Sequence, residues 1–166
     1  MTRYLNAAAA SLAILQAGCS PTAADADAAA ASDALIDRYV GTWEVDAFFA
    51  EQAVAEELRA VLGEHWEDVM LALDVNGGVE YYGSALLVSG NAPHAGGEHE
   101  AIVCVQQFTT DVQVHVGHYV DGAITVYTRH PRYHFLPTCI KDWVGLENAR
   151  HSHRLRQPGN VRLQVP

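Results

Sequence analysis

Ala101-Ile102-Val103-Cys104-Val105-Gln106-Gln107-Phe108, Val112-Gln113-Val114-His115-Val116-Gly117-His118-Tyr119-Val120 and Ala123-Ile124-Thr125-Val126-Tyr127-Thr128 make up the stretch on which the fold turns. β-Branched and aromatic residues make up at least half of each run. The breaks between them fall at Thr109-Thr110-Asp111 and at the two-residue Asp121-Gly122, a pair that tolerates positive φ. Three consecutive antiparallel strands are therefore predicted. In the middle one, Val112, Val114 and Val116 mark one face, and Gln113, His115 and Gly117 mark the other.

The same pattern extends upstream. Val69 to Val75 is expected to meet Val79 to Val88 across Asn76-Gly77-Gly78, a hairpin signal, and Ser89 to Glu100 reads as a loop carrying Gly, Pro and His. Further back, Asp33 to Val40 reads as a short helical turn leading into a strand over Gly41 to Phe49, with Trp43, Val45 and Ala47 on one face. Between them, Ala50, Ala53, Val54, Leu58, Val61, Leu62 and Trp66 recur at three and four residues, opposite Glu51, Glu56, Glu57 and Glu64. That is an amphipathic helix, with Gly63 as a candidate stop. Downstream, Pro131 and Pro137 bracket a loop over Arg132 to Thr138. Ile140 to Leu146 reads as a strand or one helical turn. His151 to Gln157 and Val161 to Val165 read as a last hairpin around Pro158-Gly159-Asn160. The expected fold is mainly β: an antiparallel meander closing into an eight- or nine-stranded barrel, with one amphipathic helix after the first strand.

The N-terminus carries an address. Arg3, an apolar stretch to Ala17 and Gly18 precede Cys19, which is the pattern of an export signal. A cysteine after Ala17-Gly18 resembles the acylation site of bacterial lipoproteins, and Ser20 behind it implies sorting to the outer membrane. Ordinary secretion, with cleavage after Ala24, is the alternative. Leu5 to Ala17 falls short of the ~20 apolar residues a membrane span needs. The expected organisation is a signal peptide over 1–18, an Ala-rich flexible tether over 19–32 with lipid attachment at Cys19, and one domain over 33–166. In an oxidising compartment the two remaining cysteines, Cys104 and Cys139, suggest a disulfide; a pair of buried free thiols is the alternative.

The chain carries a formal charge of −10, which argues against a nucleic-acid surface. Charge is unevenly spread: seven basic residues (Arg129, Arg132, Lys141, Arg150, Arg154, Arg156, Arg162) stand against Asp142 and Glu147 after position 128. Either they pair with the acidic remainder, or they form an anion-facing patch.

Arg38-Tyr39-Val40-Gly41-Thr42-Trp43-Glu44-Val45 resembles the opening of the lipocalins and fatty-acid-binding proteins, the calycin barrels. By that resemblance Gly41 and Trp43 form the motif that closes one barrel end, with Arg154 or Arg156 as the partner over the indole. It implies an envelope protein that binds a small apolar or amphipathic ligand, with no cofactor.

Catalytic patterns are sparse. Gly-x-Ser-x-Gly, P-loop and Cys-x-x-Cys motifs are missing, and His99-Glu100 lacks the second His of a zinc protease, because Val103 stands there. Nine histidines invite a metal reading. His151 and His153 are candidates, sharing a face if their segment is a strand. His115 and His118 fall on opposite faces of one strand, Pro131 and Arg132 separate His130 from His134, and His94, Glu98 and His99 lie in one loop. Three functions follow as expectations: a ligand-binding barrel tethered to the membrane by Cys19; a protein-interaction module, inhibitor or scaffold, with a filled barrel and an unknown protein partner; and an enzyme, for which no residue set argues beyond abundance.

Overall fold

A computed structural model of the chain describes residues 35–108, 111–151 and 161–166. Residues 35–39 form a helical turn. After it come α1 (Val45–Ala50), α2 (Gln52–Leu62), a 3₁₀ turn (Gly63–His65) and α3 (Trp66–Leu71). Six strands follow: β1 (Val75–Asn76), β2 (Glu80–Tyr82), β3 (Ala85–Asn91), β4 (His99–Gln107), β5 (Val112–Val120) and β6 (Ala123–Tyr127). A second 3₁₀ turn (Tyr133–Phe135), α4 (Thr138–Arg150) and β7 (Val161–Gln164) complete the described elements.

The seven strands form one mixed sheet in the order β1-β3-β4-β5-β6-β7, with β2 also on β3. β1 pairs with the end of β3 (Val75↔Asn91) and β2 with its start (Tyr82↔Ala85). β7 pairs with β6 in parallel (Val126↔Leu163), with α4 lying between these two strands in the chain. No described pairing joins β7 to β1 or β2, so the sheet is open. The expected lipocalin-like barrel, eight- or nine-stranded over 33–166, is therefore corrected.

Both faces of the sheet are covered by helices, which leaves no barrel interior. Leu86, Val88, Ala101, Val103, Val105, Val114 and Val116 pack under Val54, Leu58, Val61 and Leu62 of α2 and Val69 of α3. On the other face Ala85, Leu87, Ile102, Cys104, Tyr119, Ile124 and Val126 pack under Ile140, Trp143 and Val144 of α4. The side chains from Ala101 to Val105 are all buried, as expected of a central strand sandwiched between two layers. Gly117 lets α4 come close: a Cβ there would lie 2.5 Å from Trp143 and 2.9 Å from Ile102. Cys104 of β4 is bonded to Cys139 of α4, with Cα atoms 6.5 Å apart, so a covalent link joins helix to sheet.

The three strands of the opening stretch stand where the pattern puts them, within two residues at each end. Several other elements differ. The strand expected over Gly41 to Phe49 is instead α1: Val45 and Phe48 are buried three residues apart while Ala47 is exposed, a helical rather than an alternating pattern. The amphipathic helix is α2, and it stops at Gly63, whose φ of 52° breaks the turn. Helical structure then resumes as α3 in place of the first half of the expected Val69–Val75 strand. Asn76 does turn the chain, accepting a hydrogen bond from the Gly78 N–H at 3.1 Å, yet β1 pairs with β3 rather than with the next strand. The run 140–146, read as a strand or a single turn, belongs to a 13-residue helix. Val161–Gln164 pairs with β6; the hairpin partner expected for it over His151 to Gln157 lies, after His151, outside the described residues.

Candidate functional site

The chain between β3 and β4, residues 92–98, is held in one shape by its own backbone. Ala92 N–H donates to the His99 carbonyl and Ala95 N–H to that of Ala92, each at 3.0 Å. Glu98 and His99 N–H groups both reach the Ala95 carbonyl, again at 3.0 Å. The Asn91 amide donates to the Ala92 carbonyl at 2.8 Å. Pro93, His94, Gly96 and Glu98 are exposed. His94 sits at φ 61°, a left-handed conformation that a non-glycine residue adopts at a cost of roughly 1–3 kcal/mol. The loop is thus a prefolded projection with an imidazole at its tip.

Two polar clusters anchor its base, one on each face of the sheet, because neighbouring strand residues point opposite ways. On the α4 face, Glu100 accepts from the Gly97 N–H at 2.6 Å through one carboxylate oxygen. Its other oxygen accepts from Arg150 at 3.2 Å. Arg150 also reaches Glu147 at 3.2 Å, and Glu147 faces His151 Nε2 at 3.3 Å. Glu147 is fully buried, and burial, followed by the nearby charge of Glu100, pushes its carboxyl up to about 7. His151 stacks on Tyr119, ring centroids 4.2 Å apart.

On the helical α2–α3 face, His99 and His118 point toward each other across β4 and β5. Their Nε2 atoms are 2.9 Å apart, and Asp68 of α3 approaches both, at 3.6 Å from His99 and 3.8 Å from His118. Burial pushes His118 down to about 4, so it is neutral at pH 7. A third histidine, His115, is on the opposite face of β5. It contacts the Thr128 hydroxyl at 2.9 Å through Nδ1, stacks on His130, and is pushed down to about 4 by burial and then by His130.

Gly41 and Trp43, read from the sequence as part of a barrel end, do not close one. Gly41 starts no strand, and Trp43 is 75% exposed, at the rim of an open cleft of about 740 Å³ that also takes in Phe49, Arg59, Trp66 and Met70. A buried plug is thereby corrected, since there is no barrel to close. Arg154, Arg156 and His153 lie outside the described residues, as does Cys19. His151 ends α4 and neighbours Glu147 rather than opening the expected strand; His153, its expected companion, lies outside the described residues. Two of the late basic residues pair with acidic ones: Arg129 forks onto Glu57 at 2.6 and 2.9 Å, and Arg150 meets Glu100 and Glu147. The cluster of Asp68, His99 and His118 escaped the sequence reading. Spacing along β5 relates His118 only to His115, while its neighbour in space is diagonal to it on β4, where Ala101 opposes it in register.

A model of the family described as inhibitor of vertebrate lysozyme (Ivy) matches residues 53–149. The chain belongs to this family. The Ivy match runs from within α2 through β1–β6 into α4 and takes in the 92–98 loop with Asp68, His99, His118, Glu100 and Glu147, while Arg150, His151 and β7 lie beyond it. No curated protein and no solved structure matches the chain. Ivy membership together with an open, helix-covered sheet replaces the calycin resemblance, and with it the small-ligand carrier. The chain is an exported protein-interaction module, the second of the three functions expected from the sequence, and its partner is a protein. Among the described residues no helix is long and apolar enough to cross a membrane.

Proposed function

We propose that the chain inhibits lysozyme by presenting the 92–98 loop to the enzyme's substrate cleft, while acylated Cys19 holds it at the outer membrane facing the periplasm. The observation that carries this reading is the conformation of the loop: an exposed histidine in a left-handed backbone, at the tip of a segment closed by five hydrogen bonds of its own and its flanks. Strain of this kind persists where surrounding structure enforces it, and it concentrates at binding and catalytic sites. A loop already in its bound shape loses little conformational entropy on docking.

The chemistry of the partner fits. Lysozyme works with two carboxyl groups flanking the scissile glycosidic bond. An imidazole offers one N–H donor when neutral and two when charged, so His94 can engage such a pair and block the place of the sugar. The chain's charge of −10 favours a cationic rim around that cleft and speeds encounter at low salt.

The test is inhibition of a vertebrate lysozyme by wild-type chain and by His94→Ala. His94 is exposed, so the variant retains the fold. As a central contact it is expected to weaken inhibition about 30-fold, the equivalent of ~2 kcal/mol. Equal inhibition by the variant, or protection from hydrogen exchange that falls on the Trp43 cleft rather than on 91–99, would overturn the placement of the site.

A further inference from the structure

We propose that Asp68, His99 and His118 form a binding site for one divalent transition-metal ion of the zinc class, which clamps the base of the 92–98 loop. The three side chains come from three elements, α3, β4 and β5, yet one donor atom of each lies within 4.8 Å of the others. The separations are 2.9 Å between the imidazole nitrogens and 3.6 and 3.8 Å from these to the carboxylate oxygens. Zinc–nitrogen and zinc–oxygen bonds of about 2.0–2.2 Å in a tetrahedron place neighbouring donors roughly 3.3–3.5 Å apart. The imidazole nitrogens are somewhat closer than that and each faces a different oxygen of Asp68 slightly farther away, so an ion fits once the rings part by a few tenths of an ångström and the exposed carboxylate turns one oxygen toward both.

The donor set favours this ion class. Two imidazoles and a carboxylate suit zinc and its first-row neighbours, whereas calcium and magnesium take oxygen ligands. His118 is 2% exposed and His99 15%, while Asp68 is 56% exposed, so the site is walled by β4 and β5 and opens to water on the α3 side. Three protein ligands leave a fourth position for a water molecule or for a donor brought by a partner.

The consequence for the loop comes from His99. It is the first residue of β4; its backbone N–H donates to Ala95 and its carbonyl accepts from Ala92, so it closes the loop. Fixing its ring to α3 and β5 would hold the loop base against both. Without metal, the same short nitrogen–nitrogen approach is a hydrogen bond between the two imidazoles, and the two cases are separable by experiment.

The experiment is calorimetric titration of untagged, chelator-treated full-length chain with zinc chloride, alongside thermal melting and cobalt substitution. One ion per chain is expected. At a hundredfold excess over the dissociation constant, the melting temperature should rise by roughly 5–10 °C. Cobalt should give the visible absorption of a four-coordinate site. His99→Gln and Asp68→Asn, neither of them at a fully buried position, should each weaken binding at least tenfold and abolish the melting shift. No stoichiometric binding by wild type, or binding and melting shift unchanged in both variants, would overturn the proposal.

Discussion

Gly117→Ala should push α4 off the sheet. The new Cβ would lie 2.5 and 2.7 Å from two atoms of the Trp143 ring and 2.9 Å from Cγ2 of Ile102, whereas carbon atoms in contact sit about 3.5–4.0 Å apart. The indole would therefore have to withdraw by roughly 1 Å. Trp143 is tethered four residues from Cys139, which is bonded to Cys104 in the adjacent strand, so the helix has little freedom to follow. Overpacking of this kind costs about 1–3 kcal/mol. Against it stands a gain of ~0.5–1 kcal/mol for replacing glycine by alanine within a strand. The net loss is then about 1–2 kcal/mol. Urea unfolding followed by far-ultraviolet circular dichroism, in a double-mutant cycle with Trp143→Leu, separates the contact from other effects. In the Trp143→Leu background the same glycine substitution should be neutral or slightly stabilising, giving a coupling energy of about 1–3 kcal/mol, the overpacking cost itself. Equal destabilisation in both backgrounds, or stabilisation in the wild type, would refute the packing of Trp143 on Gly117.

Two further outcomes are expected. Replacing Cys104 and Cys139 by Ala opens a link spanning 35 residues and should cost about 3–4 kcal/mol in the chain-entropy picture, read as a lower urea midpoint. His115 is pushed down to about 4 in the folded chain against ~6.5 when unfolded, so it contributes stability that is complete above pH 6.5 and lost as pH falls toward 4. The unfolded chain binds more protons in that window, which fixes the sign. Stability measured from pH 7 to 4 should fall by about 3 kcal/mol less in His115→Asn than in wild type; parallel curves would show that His115 is not a neutral buried group.

What the sequence disclosed was local. β4, β5 and β6 stand out because their turn residues and β-branched runs act over a few positions, and α2 shows because its apolar face repeats over three turns. Closure of the sheet is not a local property, so alternation alone leaves barrel and open sheet equally consistent. One signal bore on the choice: Ala101 to Val105 is an unbroken apolar run, the mark of a strand covered on both faces. α4 was hidden because its buried stripe, Ile140, Trp143, Val144, Glu147 and Asn148, ends in two polar residues, and Gly145 interrupts it. α1 was hidden because Trp43, Val45 and Ala47 alternate by chance, whereas the residues that pack are Val45 and Phe48. For the site, the loop between Ser89 and Glu100 was visible as a segment rich in His, Gly and Pro. Its rigidity was not, since the hydrogen bonds that hold it are backbone to backbone. The approach of Asp68 to His99 and His118 depends on strand register and on the seat of α3, neither of which is written in spacing along the chain.

The most direct measurement is titration of a vertebrate lysozyme with the purified full-length chain while lysis of a peptidoglycan substrate is followed. The expected result is loss of activity that is complete near one chain per enzyme molecule and that weakens as salt is raised. Full lysozyme activity at a large excess of correctly folded, disulfide-bonded chain would contradict the proposed function.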